Sequence, residues 1–212
     1  MMKVTFLGAL MVLFGSITST AQTTSNGTGN KIGKLTVAAF NLINKNGNKL
    51  VSAIKPTSSP LSDADQQLLM QVAAGGQRQL ALSQALVDKV TNQQVKLLAT
   101  SEVEEQTNVS AKLQEIATAK GVTLPAAPDA DAQALVTQAQ NLTGAEADAF
   151  YLREGGIKGH ELLQATMQTV SRTAKDQTLK KLAISTLPVI RTHLSVSKDV
   201  KAMMSTSATA AR

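Results

Sequence analysis

The chain has 212 residues, of which 21 are Lys or Arg and 15 are Asp or Glu, so its formal net charge is +6. Its hydrophobic content of 43% suffices to bury a core and excludes a wholly disordered chain. It contains no Cys, which excludes a disulfide scaffold, a thiolate metal site, a Cys nucleophile and a lipid anchor on Cys.

The first 21 residues have the three parts of a secretory signal peptide. A short basic start precedes an apolar run from Val4 to Ile17, and small residues then lead to a cleavage site between Ala21 and Gln22. An uncleaved membrane anchor is the alternative, but the run is shorter than the roughly 20 residues that a spanning helix needs. We therefore expect an exported protein, in the periplasm or outside the cell, whose mature chain has no transmembrane span.

Residues 22–61 hold the basic excess of the mature chain. This segment has five Lys and no acid, whereas residues 62–212 carry 15 basic and 15 acidic residues. Because the excess lies outside the main domain, nucleic-acid binding is not expected. After a linker, apolar spacing predicts a short amphipathic helix from Lys31 to Ile43, and Asn46-Gly47 predicts a turn over residues 44–49.

Two interpretations of this Lys-rich segment stay open. Its Lys side chains could contact an anionic envelope surface, or the helix could pack on the main domain with its Lys side chains in water. The second arrangement is the more common one. The residues concerned are Lys31, Lys34, Lys45, Lys49 and Lys55.

Residues 62–204 have the pattern of long helices without strands. Ser62 and Thr143 are each followed by an acid three residues later, as at helix starts, and Gly121 suits a helix end. Four long helices are predicted, over 62 to about 90, 93–120, 143–173 and 176–204, with a short linking helix over 129–142. They predict an all-α fold, namely an antiparallel four-helix bundle with an N-terminal helical extension and a disordered tail over 205–212.

Two of the predicted helices contain residues that disfavour a regular helix, namely three glycines in the third helix and a proline in the fourth. Gly155, Gly156 and Gly159 weaken the third helix and predict a close approach of neighbouring side chains. Pro188 lies inside the fourth helix, where it removes one backbone donor.

Each long helix aims at least one polar side chain into its apolar stripe. Projection at 100° per residue puts Glu102 and Gln106 one turn apart, in the middle of the stripe of the second helix. A polar group buried without a hydrogen bond costs about 1–3 kcal/mol, so these groups need partners. The inward polar set is Gln79, Glu102, Gln106, His160 and His193.

Two kinds of site can be built from this set. Glu102, His160 and His193 could hold a single Zn²⁺ or Fe²⁺, since bundles build metal sites from carboxylates and imidazoles on facing helices. A di-iron centre is not expected, because the chain has no Glu-x-x-His motif. The more common alternative is a hydrogen-bonded polar layer that fixes the helix register. The rest of the acidic run from Glu102 to Glu105 is expected to be solvated.

No catalytic residue is predicted from motifs. The chain has no G-x-S-x-G, no P-loop and no G-x-G-x-x-G sequence, and its two His lack marked triad partners. The residues thus leave enzymatic activity unsupported.

Five segments between Asp63 and Met203 form an ordered pattern. They are Ala74-Gly75-Gly76, residues 94–99, residues 119–125, Phe150-Tyr151-Leu152 with His160, and residues 187–194 with the sequence LPVIRTHL. The pattern resembles a bacterial family called domain of unknown function 4142, a predicted ferritin-like bundle common among exported proteins. The resemblance implies a ferritin-like four-helix bundle and export, and it brings no established reaction.

The resemblance also bears on the inward polar residues. His160 and His193 match histidines of the family. The family typically has Glu where Gln79 stands and an Asp-His pair where Glu105-Gln106 stands, so a carboxylate and an imidazole are replaced by amides here.

These observations predict an exported helical-bundle protein with a non-catalytic, structural or binding role in the cell envelope. The alternative is a mononuclear metal-binding protein or oxidoreductase of the ferritin-like kind.

Overall fold

The computed structural model describes residues 30–210, so the predicted signal peptide and its cleavage site lie outside the described residues. The described chain is mostly helical, which confirms the all-α prediction. None of its described helices is long and apolar enough to cross a membrane. The helices are α1 (Val37–Ser52), α2 (Asp63–Leu86), α3 (Gln93–Lys120), α4 (Ala130–Ala139), α5 (Gly144–Tyr151), α6 (His160–Thr173) and α7 (Gln177–Ala210). A π-helical segment, Leu152–Gly159, joins α5 to α6.

The prediction for the N-terminal extension was wrong in two places. Residues predicted to begin a helix instead form an antiparallel hairpin of β1 (Lys31–Ile32) and β2 (Leu35–Thr36), turned at Gly33 with φ 57°. The helix then starts at Val37, capped by Thr36, and runs through the predicted turn at Asn46-Gly47. Tertiary packing overrides that turn signal, because a Cβ at Gly47 would lie 2.2 Å from Val189 Cγ2.

Several helix boundaries follow from capping groups. Ser62 Oγ accepts from the Asp65 N–H at 3.2 Å, as predicted at the start of α2. Gly121 ends α3 with φ 69°, a left-handed conformation that glycine adopts readily. Thr143 precedes α5, as predicted for a helix start, but its side chain makes no capping hydrogen bond.

The long helices pack in pairs. α2 packs against α3 and α6 against α7, while α2 also contacts α6, and α3 contacts α7. α1 packs against α3 and α7, so the N-terminal extension is part of the same helical body.

The apolar core is divided into two clusters of buried side chains. One includes Val51, Leu69 and Leu113, and the other includes Phe40, Leu82 and Leu98. Along α1, α2, α3 and α7, the two clusters are separated in sequence by buried polar residues. These separating residues are Asn44 on α1, Gln79 on α2, Ser101, Glu102, Glu105 and Gln106 on α3, and His193 on α7.

The C-terminal half differs from prediction at two points. The third predicted helix is interrupted by the π-helical segment, where a Cβ at Gly156 would lie 2.6 Å from Ser197 Oγ. This contact confirms the predicted close approach at the glycines. The predicted tail is helical as far as Ala210, and within it Thr206 Oγ1 donates to the Ala202 carbonyl at 2.7 Å.

Candidate functional site

Three side chains meet at the middle of the core, and we call them the central triad: Glu102, His160 and His193. They come from α3, from the start of α6 and from α7. All three side chains are buried, with at most 1% of each residue exposed. One ligand atom from each lies within 4.8 Å of those of the others. The structure thus brings together the three residues that the sequence suggested as metal ligands.

A single carboxylate oxygen is the focus of the triad. Glu102 Oε2 lies 2.9 Å from His160 Nε2 and 2.9 Å from His193 Nδ1. The other oxygen, Oε1, accepts from Gln106 Nε2 at 3.1 Å and from Gln79 Nε2 at 3.4 Å. The two amides therefore occupy Oε1, and the two imidazoles face Oε2.

The far ring nitrogens of the two histidines also face oxygens. His160 Nδ1 lies 2.9 Å from the Gly155 carbonyl, which the π-helical segment places beside it. His193 Nε2 lies 2.7 Å from Asn44 Oδ1 on α1. Because every ring nitrogen faces an acceptor, the centre needs positive charge, supplied by ring protons or by a bound cation.

The two histidines differ in how readily they carry a positive charge. Burial by itself raises the pKa of Glu102, but the charges and hydrogen bonds of His160 and His193 hold it well below its usual range. Burial lowers the pKa of His160, yet the neighbouring Glu102 charge and hydrogen bond leave it above its ordinary value. For His193, burial prevails and its pKa is lowered. Without a metal, His160 and Glu102 form the charged pair and His193 is neutral.

A neutral His193 cannot donate from both of its nitrogens. It can donate to Glu102 only if the Asn44 amide is rotated so that Nδ2 faces the ring, because O and N of an amide are assigned from the network. Alternatively, it can donate to Asn44 Oδ1 and leave the Nδ1 lone pair facing Glu102 Oε2. In the second arrangement the Nδ1 lone pair and the carboxylate oxygen are 2.9 Å apart, and they repel each other unless a cation binds beside them.

Glu105 is a member of the centre that the sequence interpretation placed in solvent, and that prediction was wrong. Its residue is only 4% exposed, and its Oε2 lies 3.7 Å from His193 Nδ1 without a hydrogen-bond partner. Burial and the nearby charge of Glu102 raise its pKa well above the usual range. A helical projection with Val95 at 0° shows that Glu105 can face the core. Glu105 falls at 280°, within 20° of Leu98 at the edge of the apolar stripe.

Asn44 is the other residue that the sequence interpretation missed. It was assigned to a turn, and a local pattern gives no reason to join α1 to α7. Its contact with His193 spans 149 positions of the chain. Only the packing of α1 against α7 brings it to the centre.

The centre also contains buried polar atoms that lack partners. Gln79 Oε1, Gln106 Oε1, Glu105 Oε2 and Asn44 Nδ2 make no hydrogen bond. All five of the predicted inward polar residues are buried, so the side chains do lie inside the core. Among these five, only Gln79 and Gln106 have a buried atom without a partner, which is unusual for buried polar groups.

The Lys-rich segment lies at the surface. α1 packs on the main helices, as the favoured interpretation predicted. All five Lys residues of the segment are exposed. Lys34 Nζ lies 3.1 Å from Asp199 Oδ1. A contact of these Lys with an anionic surface stays a prediction.

Comparison with known proteins gives a family and no activity. Residues 51–200 match the family described as Domain of unknown function (DUF4142), so the chain belongs to that family, as its resemblance predicted. No curated protein and no solved structure matches the chain.

Proposed function

We propose that this protein is an exported, non-catalytic helical-bundle protein whose central triad binds one divalent transition-metal ion, Zn²⁺ or Fe²⁺. The observation that carries the proposal is the convergence of three buried ligand atoms, from three helical elements, to within 4.8 Å. Carboxylate oxygen and imidazole nitrogen suit both metals. Bonds of about 2.1 Å in a tetrahedral site place neighbouring ligand atoms about 3.4 Å apart. The 2.9 Å contacts between Glu102 Oε2 and each imidazole need to open by only about 0.5 Å to reach that separation.

The surroundings of the two histidines support metal binding. A metal-bound imidazole usually donates its other N–H to a carbonyl or carboxylate oxygen, which fixes its tautomer. The Gly155 carbonyl and Asn44 Oδ1 stand at those far nitrogens. The near nitrogens then present lone pairs toward Glu102, and a cation there removes the repulsion between lone pairs and carboxylate.

The finer architecture is part of the same proposal. Short turns join α2 to α3 and α6 to α7, and short connections make neighbouring helices antiparallel. The contacts of α2 with α6 and of α3 with α7 support a ferritin-like four-helix bundle, with α1 and the hairpin as its N-terminal extension. Export rests on the signal-peptide pattern of residues 1–21. N-terminal sequencing of the secreted protein should begin at Gln22.

Metal analysis of the purified protein tests the proposed binding. The full chain is expressed with its leader, purified without a His tag, and dialysed with Zn²⁺ or, without oxygen, with Fe²⁺. We expect one ion per chain, measured by plasma mass spectrometry. Glu102→Gln keeps the size of the side chain but removes its charge, and we expect it to abolish stoichiometric binding, as should the His160→Ala/His193→Ala double variant.

Asp148→Asn is the matched control for Glu102→Gln. Asp148 is also a buried carboxylate, but it accepts backbone N–H groups of Thr91 and Asn92, outside the centre. This variant should keep one ion per chain. A wild-type chain that holds no ion after either dialysis would contradict the proposal.

A hydrogen-bonded polar layer is the second candidate function. It is favoured by one observation, that the Glu102 carboxylate already has contacts with two imidazoles and two amides. In this case the centre serves only to fix the register of the helices. A folded wild-type protein without metal, destabilised by Glu102→Gln, would favour it.

A further inference from the structure

Glu105 stands apart from the other buried carboxylates of the described chain. Asp65 accepts from the backbone N–H groups of Lys175 and Asp176, and Asp148 accepts from those of Thr91 and Asn92. Glu154 accepts from its two basic neighbours, Arg153 and Lys158. Glu102 has its four partners in the centre. Oε2 of Glu105 has no hydrogen-bond partner at all.

The position of this oxygen points it toward the metal site. Glu105 follows Glu102 by three residues on α3, so the two carboxylates are neighbours on one helix face. His193 Nδ1, which faces Glu102 Oε2 at 2.9 Å, lies 3.7 Å from Glu105 Oε2. One imidazole nitrogen therefore lies beside both carboxylates.

From this geometry we infer that Glu105 is the fourth ligand of the metal centre, which closes it as a four-coordinate Zn²⁺ site without an open position. The inference rests on the proposed function, since it needs a metal at the central triad. The ligand atoms are His160 Nε2, His193 Nδ1 and one oxygen each from Glu102 and Glu105. Two imidazoles and two monodentate carboxylates make the tetrahedral set that Zn²⁺ accepts.

The amides support a monodentate Glu102. Gln79 and Gln106 donate to Oε1, so only Oε2 is directed at the imidazoles. A second carboxylate oxygen is then needed to complete four ligands. Structural zinc sites have four protein ligands, whereas catalytic sites keep one position for water or substrate. A fourth ligand at Glu105 thus fits the buried location of the site and a non-catalytic role.

Substitution of Glu105 tests the inference on the full chain. The probes are Zn²⁺, with affinity measured by competition with a chelator, and Co²⁺, whose visible absorption is intense in four-coordinate sites and weak in six-coordinate ones. We expect Glu105→Gln to weaken Zn²⁺ binding about 10-fold or more and to reduce the Co²⁺ absorption as water replaces the carboxylate. Glu104→Gln is the matched control, because Glu104 is exposed on the same helix.

Glu105→Asp provides a second variant that keeps the charge but shortens the side chain. It should also lose intensity in the Co²⁺ spectrum, with an affinity between those of wild type and Glu105→Gln. If Glu105→Gln retains the affinity and spectrum of Glu104→Gln, Glu105 is not a ligand, although the metal centre itself stands. If the wild-type chain takes up neither Co²⁺ nor Zn²⁺, both the inference and the proposed function are overturned.

Discussion

The central triad and the Lys120 cluster are both charged, but they differ in burial and in how fully their polar atoms are paired. We define the Lys120 cluster as Lys120, Asp176, Thr57 and Ser59. In the Lys120 cluster, Lys120 is buried and Asp176 half-buried, whereas Thr57 and Ser59 are exposed. The Lys120 ammonium donates to Thr57 Oγ1 at 2.9 Å, to Ser59 Oγ at 3.3 Å and to Asp176. Its three donors therefore have three partners.

Around the central triad, by contrast, four buried polar atoms lack partners. A network whose groups are all paired stabilises the fold, whereas a buried polar atom without a partner costs free energy. The Lys120 cluster is therefore explained by stability alone, whereas the central triad is the cluster for which we propose a ligand.

The largest expected effect comes from the Lys120 cluster. Lys120→Met leaves the Asp176 carboxylate without its cation, and breaking a buried ion pair on one side costs about 3 kcal/mol. Urea unfolding should show this loss in the free energy of unfolding, while the metal content per chain stays that of wild type. Lys181→Met, at an exposed position, should change stability by less than about 0.5 kcal/mol. A loss of metal in Lys120→Met would show that the Lys120 cluster and the central triad do not act independently.

A smaller effect on stability is expected at the centre, with a change in metal binding. A Cβ at Gly159 would lie 2.0 Å from Gln79 Oε1, so Gly159→Ala should displace the amide from Glu102 and from the Gly155 carbonyl. We expect a loss of about 2 kcal/mol and about 10-fold weaker metal binding, measured by urea unfolding and chelator competition.

The Gln79→Ala background is the control for this substitution. With the amide removed, the added methyl group has nothing to displace, and Ala is the better helix former. Gly159→Ala should then cost little or increase stability. An equal loss in both backgrounds would show that Gln79 is not the reason.

The smallest effect is the response of the Lys120 cluster to acid. Burial by itself raises the pKa of Asp176, but the hydrogen bond from Lys120, the N–H groups of Leu179 and Thr178 and the Lys120 charge hold it below its ordinary value of 3.8. A carboxyl group with a lowered folded-state pKa stabilises the fold above its unfolded-state pKa, and this contribution is lost as the pH falls through the folded-state pKa.

The free energies of unfolding of wild type and Lys120→Met should therefore approach each other in acid. Their difference in the free energy of unfolding should be largest near about pH 5 and should narrow toward about pH 3 or below. Taking the difference cancels the other acids that the two chains share. A constant difference across this range would show that Lys120 does not act through the Asp176 charge.

Much of the helical pattern could be predicted because it depends on local periodicity and end signals. The apolar stripes of α3 and α7 follow from helical spacing, and residues on them such as Val95, Leu98 and Leu182 are buried. Ser62 marks the start of α2 through its side chain, which caps the helix, and Gly121 marks the end of α3 through its left-handed backbone. Family membership was also predictable, since it rests on ordered sequence segments.

The errors occurred where long-range packing opposed a local signal. Asn46-Gly47 has the sequence of a turn, but Gly47 lies inside a continuous α1 and packs closely against Val189. Glu105 looked like part of a solvated acidic run because its neighbours are acidic, although its helical angle placed it inside. A helical projection assigns each residue to a face but does not say how far a neighbouring helix covers that face.

The sequence by itself determined that this is a helical protein, which residues face its core, and that Glu102, His160 and His193 are among them. These properties follow from helical periodicity, which each segment carries alone. Only the tertiary structure decided that the three side chains meet at one carboxylate oxygen, and that Asn44 and Glu105 join them. The heights of residues on different helices depend on how the helices slide and pack, and that register is set by contacts between segments far apart in the chain.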